Sequence, residues 1–161
     1  MWALEEDLKK IGLRRSLLIR SSTIAEEMMT NAIYDAPTKS NGEPKYISTA
    51  RTENITLLKE ERSRLRWGFD GISLAISVED PFGSLKKETI LHYLDGCNNG
   101  QAGNLNEGIA KSGGGVGLYQ IITSADLLIV NIMPDKKTEF IAVLNTKRKR
   151  NKTTSFQYFA A

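Results

Sequence analysis

The sharpest constraint on the fold lies near the middle of the chain. Leu65, Trp67 and Phe69 alternate with Arg64, Arg66 and Gly68; beyond Asp70-Gly71, Ile72, Leu74, Ile76 and Val78 alternate with Ser73, Ala75, Ser77 and Glu79. Successive side chains of a strand point to opposite faces, so each run has one apolar face. Asp-Gly favours a two-residue hairpin turn. The pattern predicts two antiparallel strands turning at Asp70-Gly71, with one face buried. A one-sided sheet has to be covered by a second layer.

Helical patterns elsewhere supply that layer. Leu4, Leu8 and Ile11 fall near helical spacing, followed by Gly12 and the apolar group Leu17, Leu18 and Ile19. Residues 1–20 therefore read as an N-terminal helical segment that docks on the domain or on a partner, a second copy of the chain included. Thr23 with Glu26 three residues later forms a capping box, which predicts a helix from about Ile24 to Asp35, ending before Pro37. Residues 37–61, with Pro37, Gly42 and Pro44, read as a long loop with a short strand at Ile55–Leu58. Further helices are expected at about Lys86–Leu94 and Val116–Ala125. Strands are expected at Leu127–Val130 and Phe140–Leu144, joined by the turn Pro134-Asp135-Lys136-Lys137. The stretch from Asp95 to Lys111 is rich in Gly and Asn, and a loop of that length in a compact domain tends to be functional.

With 161 residues, 40% of them apolar and 25% charged, the chain is long enough for one domain with a real core. No apolar run approaches the roughly 20 residues of a membrane helix, so no membrane partner is expected. The acidic, amphipathic start does not resemble a secretory signal. Cys97 has no second cysteine to pair with, which fits a reducing cytoplasm, and the single His92 excludes a multi-histidine metal site within this chain. The net charge is +3, and Lys147-Arg148-Lys149-Arg150 with Lys152 carries much of it. Such a run can meet nucleic acid or an acidic partner. It reads here as a solvated basic tail over residues 147–161, with nucleic acid not expected.

Three motifs carry candidate chemistry. Glu27 and Asn31 lie four residues apart in an otherwise apolar helical stretch, so they share a face, with Tyr34 one turn on. An amide oxygen suits a hard cation such as Mg²⁺, and a carboxylate beside it can orient or deprotonate a nucleophile. The same spacing also describes a solvent-facing polar stripe. Asp80 ends the second alternating run, followed by Pro81-Phe82-Gly83. A carboxylate there can accept a hydrogen bond from an exocyclic amine, with Phe82 against the ring; a plain Asp-Pro turn is the other reading. Gly113-Gly114-Gly115-Val116-Gly117-Leu118 lets backbone approach an anion at the start of a helix, whose free amides favour phosphate. Lys111 and Ser112 stand just before it and can add a charge and a donor. No Lys-Ser or Lys-Thr follows these glycines and no strand directly precedes them, so neither the P-loop nor the dinucleotide fingerprint applies. A flexible linker is the alternative.

Taken in this order, the motifs resemble the superfamily of gyrase, heat-shock chaperone, histidine kinase and MutL ATPases (GHKL), over about residues 22–145. The resemblance implies an α+β, two-layer sandwich of the Bergerat type: a mixed, mostly antiparallel sheet covered on one face by helices, with ATP and Mg²⁺ between the helices. It assigns residues 21–146 to the ATP-binding domain. By motif it makes Asn31 the Mg²⁺ ligand, Glu27 the general base or water-positioning residue, and Asp80 the acceptor for the adenine amine. Gly83 shapes the pocket, and Gly113, Gly115 and Gly117, with Leu118 beside them, line the phosphates. Thr138 matches the threonine that supports the aspartate, and residues 95–112 match a lid. Where the superfamily usually carries glycines two and four residues after the aspartate, this chain has Phe82 and Ser84.

The string Glu27-x-x-Thr30-Asn31-Ala32 is most similar to the anti-sigma-factor serine kinases. The resemblance implies a cytoplasmic, ATP-binding regulatory protein that phosphorylates serine or threonine on a partner, such as a sigma-factor or anti-sigma-antagonist protein. No phosphoacceptor histidine precedes the ATP motifs, so a histidine kinase complete in one chain is not expected. A detached catalytic domain acting on a histidine of another chain, and a non-catalytic ATP-binding or protein-interaction module, are the alternatives.

Overall fold

The computed structural model describes residues 2–46, 48–98, 115–147 and 154–161. Four helices, α1 (Trp2–Lys10), α2 (Arg15–Thr30), α3 (Lys87–Asn98) and α4 (Gly115–Ser124), pack against a five-stranded sheet. The strands are β1 (Arg64–Phe69), β2 (Ser73–Asp80), β3 (Leu127–Met133), β4 (Lys137–Asn145) and β5 (Ser155–Ala160), in the order β1-β2-β4-β3-β5. All neighbours are antiparallel except β3 and β5, which run parallel. This is the α+β sandwich that the alternating runs imply.

Burial follows the period of two. Leu74, Ile76 and Val78 of β2, Leu128, Val130 and Ile132 of β3, and Phe140, Ala142 and Leu144 of β4 form the covered face. Leu4 and Leu8 of α1, Leu17, Ile24, Ala25 and Met28 of α2, and Leu118, Ile121 and Ile122 of α4 complete the core above it. On the open face Glu79 pairs directly with Glu139 across β2 and β4. Two like charges side by side there are offset by Lys137 Nζ, 3.2 Å from Glu79, and by the Ser77 hydroxyl and the Asn131 amide donating to Glu139 at 2.7 and 3.2 Å.

Three local expectations are corrected. The capping box at Thr23 and Glu26 does not start a helix, because α2 begins at Arg15 and passes through both residues. Leu17, Ser21, Ile24, Ala25 and Met28 form one buried stripe, and packing of that stripe outweighs a local cap signal. Ser21 satisfies its hydroxyl by donating back to the carbonyls of Leu17 and Leu18. The helix ends at Asp35, before Pro37, as expected, although its last turn, Asn31–Asp35, is π-helical, with the Ala36 N–H donating to the Asn31 carbonyl at 2.9 Å. Residues 55–58 form no strand and lead into a short 3₁₀ turn at Lys59–Glu61. The expected C-terminal tail contains β5, which pairs with β3 and lays Phe156 and Tyr158 against the core.

The two hairpins are present. In the first, the Asp70 N–H donates to the Ser73 carbonyl at 3.3 Å, so the turn residues are Gly71 and Ile72, one position later than expected. The Asp70 carboxylate accepts from the N–H groups of Ile72 and Ser73 at 2.8 and 2.6 Å, and Gly71 takes a φ of 93°. The glycine is placed where positive φ is needed, and the aspartate caps the turn. Residues 1–20 form no separate unit, since α2 crosses residue 20 unbroken and Leu4, Leu8 and Leu17 share the common core. Of the basic run, only Lys147 lies within the described residues, and it is exposed.

Candidate functional site

Between the π-turn, α3, α4 and the ends of β2 and β4 lies a cavity of about 320 Å³, a size typical of small-molecule sites. Residues from all three sequence motifs line it: Asn31, Asp80 and Leu118, together with Thr138. The β-strand period explains the floor. Asp80 continues the covered-face series Leu74, Ile76, Val78, and Thr138 begins the series Phe140, Ala142, Leu144. Asp80 and Thr138 are direct cross-strand partners. The sheet therefore delivers a carboxylate and a hydroxyl, 4% and 1% exposed, to the bottom of the cavity.

Burial pushes the Asp80 carboxyl up to about 6, against backbone N–H groups of Phe82, Gly83 and Thr138 that favour its ionised form. The Phe82 N–H donates to Asp80 Oδ1 at 3.0 Å. The Thr138 hydroxyl is close enough to act on the Asp80 charge, yet Oγ1 makes no hydrogen bond of normal geometry.

Asn31 sits where α2 becomes a π-turn. Its amide oxygen is buried and has no hydrogen-bond partner. A buried acceptor without a protein donor is costly unless a water, an ion or a ligand completes it. Such turns widen the helix and recur at functional sites. Residues four apart on such a turn still share a face. Asn31 and Asp35 accordingly line the same cavity.

The N-terminal part of α4 closes the other side. Gly117 is buried against the carboxylate of Glu27 and the amide of Asn31, and a Cβ there would overlap Glu27 Oε2 and come within 3.4 Å of Asn31 Oδ1. Two acceptor oxygens thus meet glycine backbone in a space too small for a side chain. Burial raises the Glu27 carboxyl above the ordinary range; Arg51 opposes this, and Glu26 and Asp35 add to it.

Gly83 acts from behind the wall. At φ 64° it fits beneath the β3–β4 turn, where a Cβ would overlap the Met133 carbonyl and lie 2.9 Å from the amides of Asp135 and Lys136. Phe82 is half-buried and does not line the cavity, so its ring is not the aromatic wall expected of it; its backbone N–H is what serves the site. Gly115 is the first residue of α4. Lys111, Ser112 and Gly113, and most of the 95–112 stretch, lie outside the described residues; the part up to Asn98 belongs to α3.

Sequence reasoning missed Asp35, Ser84, Lys86, Thr89 and Tyr93, all of which line the cavity. Asp35 stands four residues after Asn31, the same spacing that links Glu27 to Asn31, so its signal was present. Burial raises the carboxyl of Asp35, partly countered by Arg51, whose Nη2 lies 3.4 Å from Asp35 Oδ2. Burial and the Asp35 charge raise the Tyr93 phenol. Ser84 donates to the Ala36 carbonyl at 2.8 Å and ties the segment after β2 to the end of the π-turn.

The donors fit a ligand with two chemical ends. An amide oxygen beside carboxylates suits a hard divalent cation. A buried carboxylate with an unpartnered hydroxyl at its side suits a polar heterocycle that both donates and accepts. Met28, Val78, Leu85 and Phe140 supply apolar wall between the two. Among the described residues no cluster of three His, Cys, Asp or Glu side chains could hold a metal alone, and no helix is long and apolar enough to cross a membrane. The chain matches no protein-family model, no curated protein and no solved structure.

Proposed function

We propose that this cavity binds ATP with Mg²⁺, and that the protein is a cytoplasmic regulatory kinase of the anti-sigma-factor type, transferring phosphate to serine or threonine of a partner protein. The observation that carries the reading is the meeting of Asn31, Asp80, Thr138 and Leu118, from four distant parts of the chain, in one cavity with two unsatisfied polar atoms. Asp80 would accept the adenine amine, and the Thr138 hydroxyl would find its partner on the same ring. Asn31 would offer its amide oxygen to the cation, which when bound neutralises phosphate charge. Glu27, beside Asn31 and next to the α4 backbone, would orient the attacking hydroxyl. Phosphoryl transfer depends chiefly on such positioning and charge compensation.

Calorimetric titration with ATP and Mg²⁺ tests the site. Wild type should bind, and Asp80→Asn should lose most of the affinity; equal binding by both would put the adenine elsewhere. Incubation with γ-labelled ATP and candidate partners then tests transfer. Acid-stable label on a partner supports the serine/threonine kinase. Acid-labile label points to a phosphohistidine, and binding without transfer points to a non-catalytic ATP module.

A further inference from the structure

Above the π-turn a loop residue is held in a specific pose. Ala50–Glu53 forms a tight turn: the Glu53 N–H donates to the Ala50 carbonyl at 2.8 Å, and the Glu53 carboxylate accepts from the Ala50 N–H at 3.2 Å. The Tyr34 hydroxyl lies 3.2 Å from the carbonyls of both Arg51 and Glu53, sharing its proton between them and pinning this turn to the π-turn. The Arg51 guanidinium lies over the Tyr34 ring, 5.6 Å from its centre, and reaches Asp35 at 3.4 Å. Its charge also acts on Glu27. A cation is thus brought from a distant loop to the helix face that carries Glu27, Asn31 and Asp35.

We propose that Arg51 recognises the terminal phosphate of the bound nucleotide, exchanging Asp35 for phosphate oxygens when the triphosphate enters. This rests on the reading that the cavity holds ATP with Mg²⁺. Charge balance argues for it. A triphosphate in this cavity meets the carboxylates of Asp35 and Asp80, with Glu27 close by, and one divalent cation leaves that assembly strongly negative. A guanidinium fork matches phosphate oxygens geometrically. The contact with Asp35, at 3.4 Å, is longer than a strong charge-assisted hydrogen bond. The Tyr34 hydroxyl ties the backbone of the turn to the π-turn, which sets the guanidinium beside the site. Arg51 would then be the residue that separates ATP from ADP.

The test compares ATP and ADP, each with Mg²⁺, on wild type, Arg51→Ala and Arg51→Lys. Wild type should prefer ATP. Arg51→Ala should weaken ATP binding by about tenfold or more while leaving ADP binding nearly unchanged, and Arg51→Lys should recover part of the preference. Retained ADP binding shows that the pocket is intact. Should Arg51→Ala lose its circular-dichroism signature of a folded chain, Arg51→Gln replaces it under the same criteria. An unchanged ATP-to-ADP preference in a folded Arg51 variant overturns the inference alone. Failure of wild type to bind either nucleotide overturns the ATP reading beneath it.

Discussion

Asn31 Oδ1 and Thr138 Oγ1 are the two buried side-chain polar atoms, among the described residues, that lack a hydrogen-bond partner, and both residues line the same cavity. They come from a helix and a strand more than a hundred residues apart in sequence. Protein interiors satisfy nearly all such atoms. Two exceptions lining one cavity are the atoms that the proposed ligand would satisfy.

Asp80 should cost the free protein stability. Its carboxyl titrates at about 6 in the fold against an ordinary value of 3.8. Below about pH 3 it is neutral in both states and costs nothing. As the pH rises toward 6 the unfolded chain releases its proton first, so stability falls over that window and stays lower above it. Asp80→Asn should therefore be more stable than wild type at pH 7, by about 3 kcal/mol, with almost no difference near pH 3. Thermal melts at the two pH values check this, and the gain should coincide with lost nucleotide affinity.

Adenosine binding should depend on pH with the opposite sense. An ionised Asp80 is the better acceptor for an amine N–H, and near pH 5 only about a tenth of a group titrating at 6 is ionised. Affinity should rise about tenfold from pH 5 to pH 7. Adenosine is the probe of choice because it carries no phosphate to titrate in that range. A flat profile would remove Asp80 from the contact.

Thr138→Val should stabilise the empty protein and weaken the bound one. The substitution keeps the shape and removes a buried hydroxyl that makes no hydrogen bond of normal geometry, a group that costs on the order of 1 kcal/mol; the comparison is made near pH 4, where the folded Asp80 carries little charge for that hydroxyl to favour. Urea denaturation should show a midpoint above wild type. Calorimetry should show weaker ATP binding, because the hydroxyl is satisfied only when the ligand is present.

The two glycines should fail differently. Gly83→Ala drives a Cβ into backbone at a positive φ, and neither can yield cheaply; a loss of about 2–3 kcal/mol or more in unfolding free energy is expected. Gly117→Ala meets the end of the flexible Glu27 side chain, which can rotate away, and alanine is the better helix former. That variant should stay folded and keep its melting temperature. It should lose phosphoryl transfer more than ATP binding, because Glu27 has been moved.

The parts legible in the sequence are those written in short-range periodicity. The β1–β2 hairpin shows its buried face by strict alternation, and that alternation carries Asp80 onto the covered side with Leu74, Ile76 and Val78. Asn31 and Glu27 were legible from helical spacing. The start of α2 was not, because the stripe from Leu17 to Met28 owes its continuity to the sheet below it, which no local cap signal records. The π-turn at Asn31–Asp35 has no sequence signature, so Asp35 was passed over although its spacing from Asn31 was plain. β5 was hidden by a basic run and by its parallel partner β3, whose pairing lies beyond any local pattern.

That parallel pairing bears on how the chain folds. β5 is the last strand in the chain, so a folding chain can complete four strands and most of its core while one flank of β3 has bare amides and carbonyls. During that interval a neighbouring chain could dock there in place of the proper strand. Pairing of residues 155–160 with β3 ends that exposure.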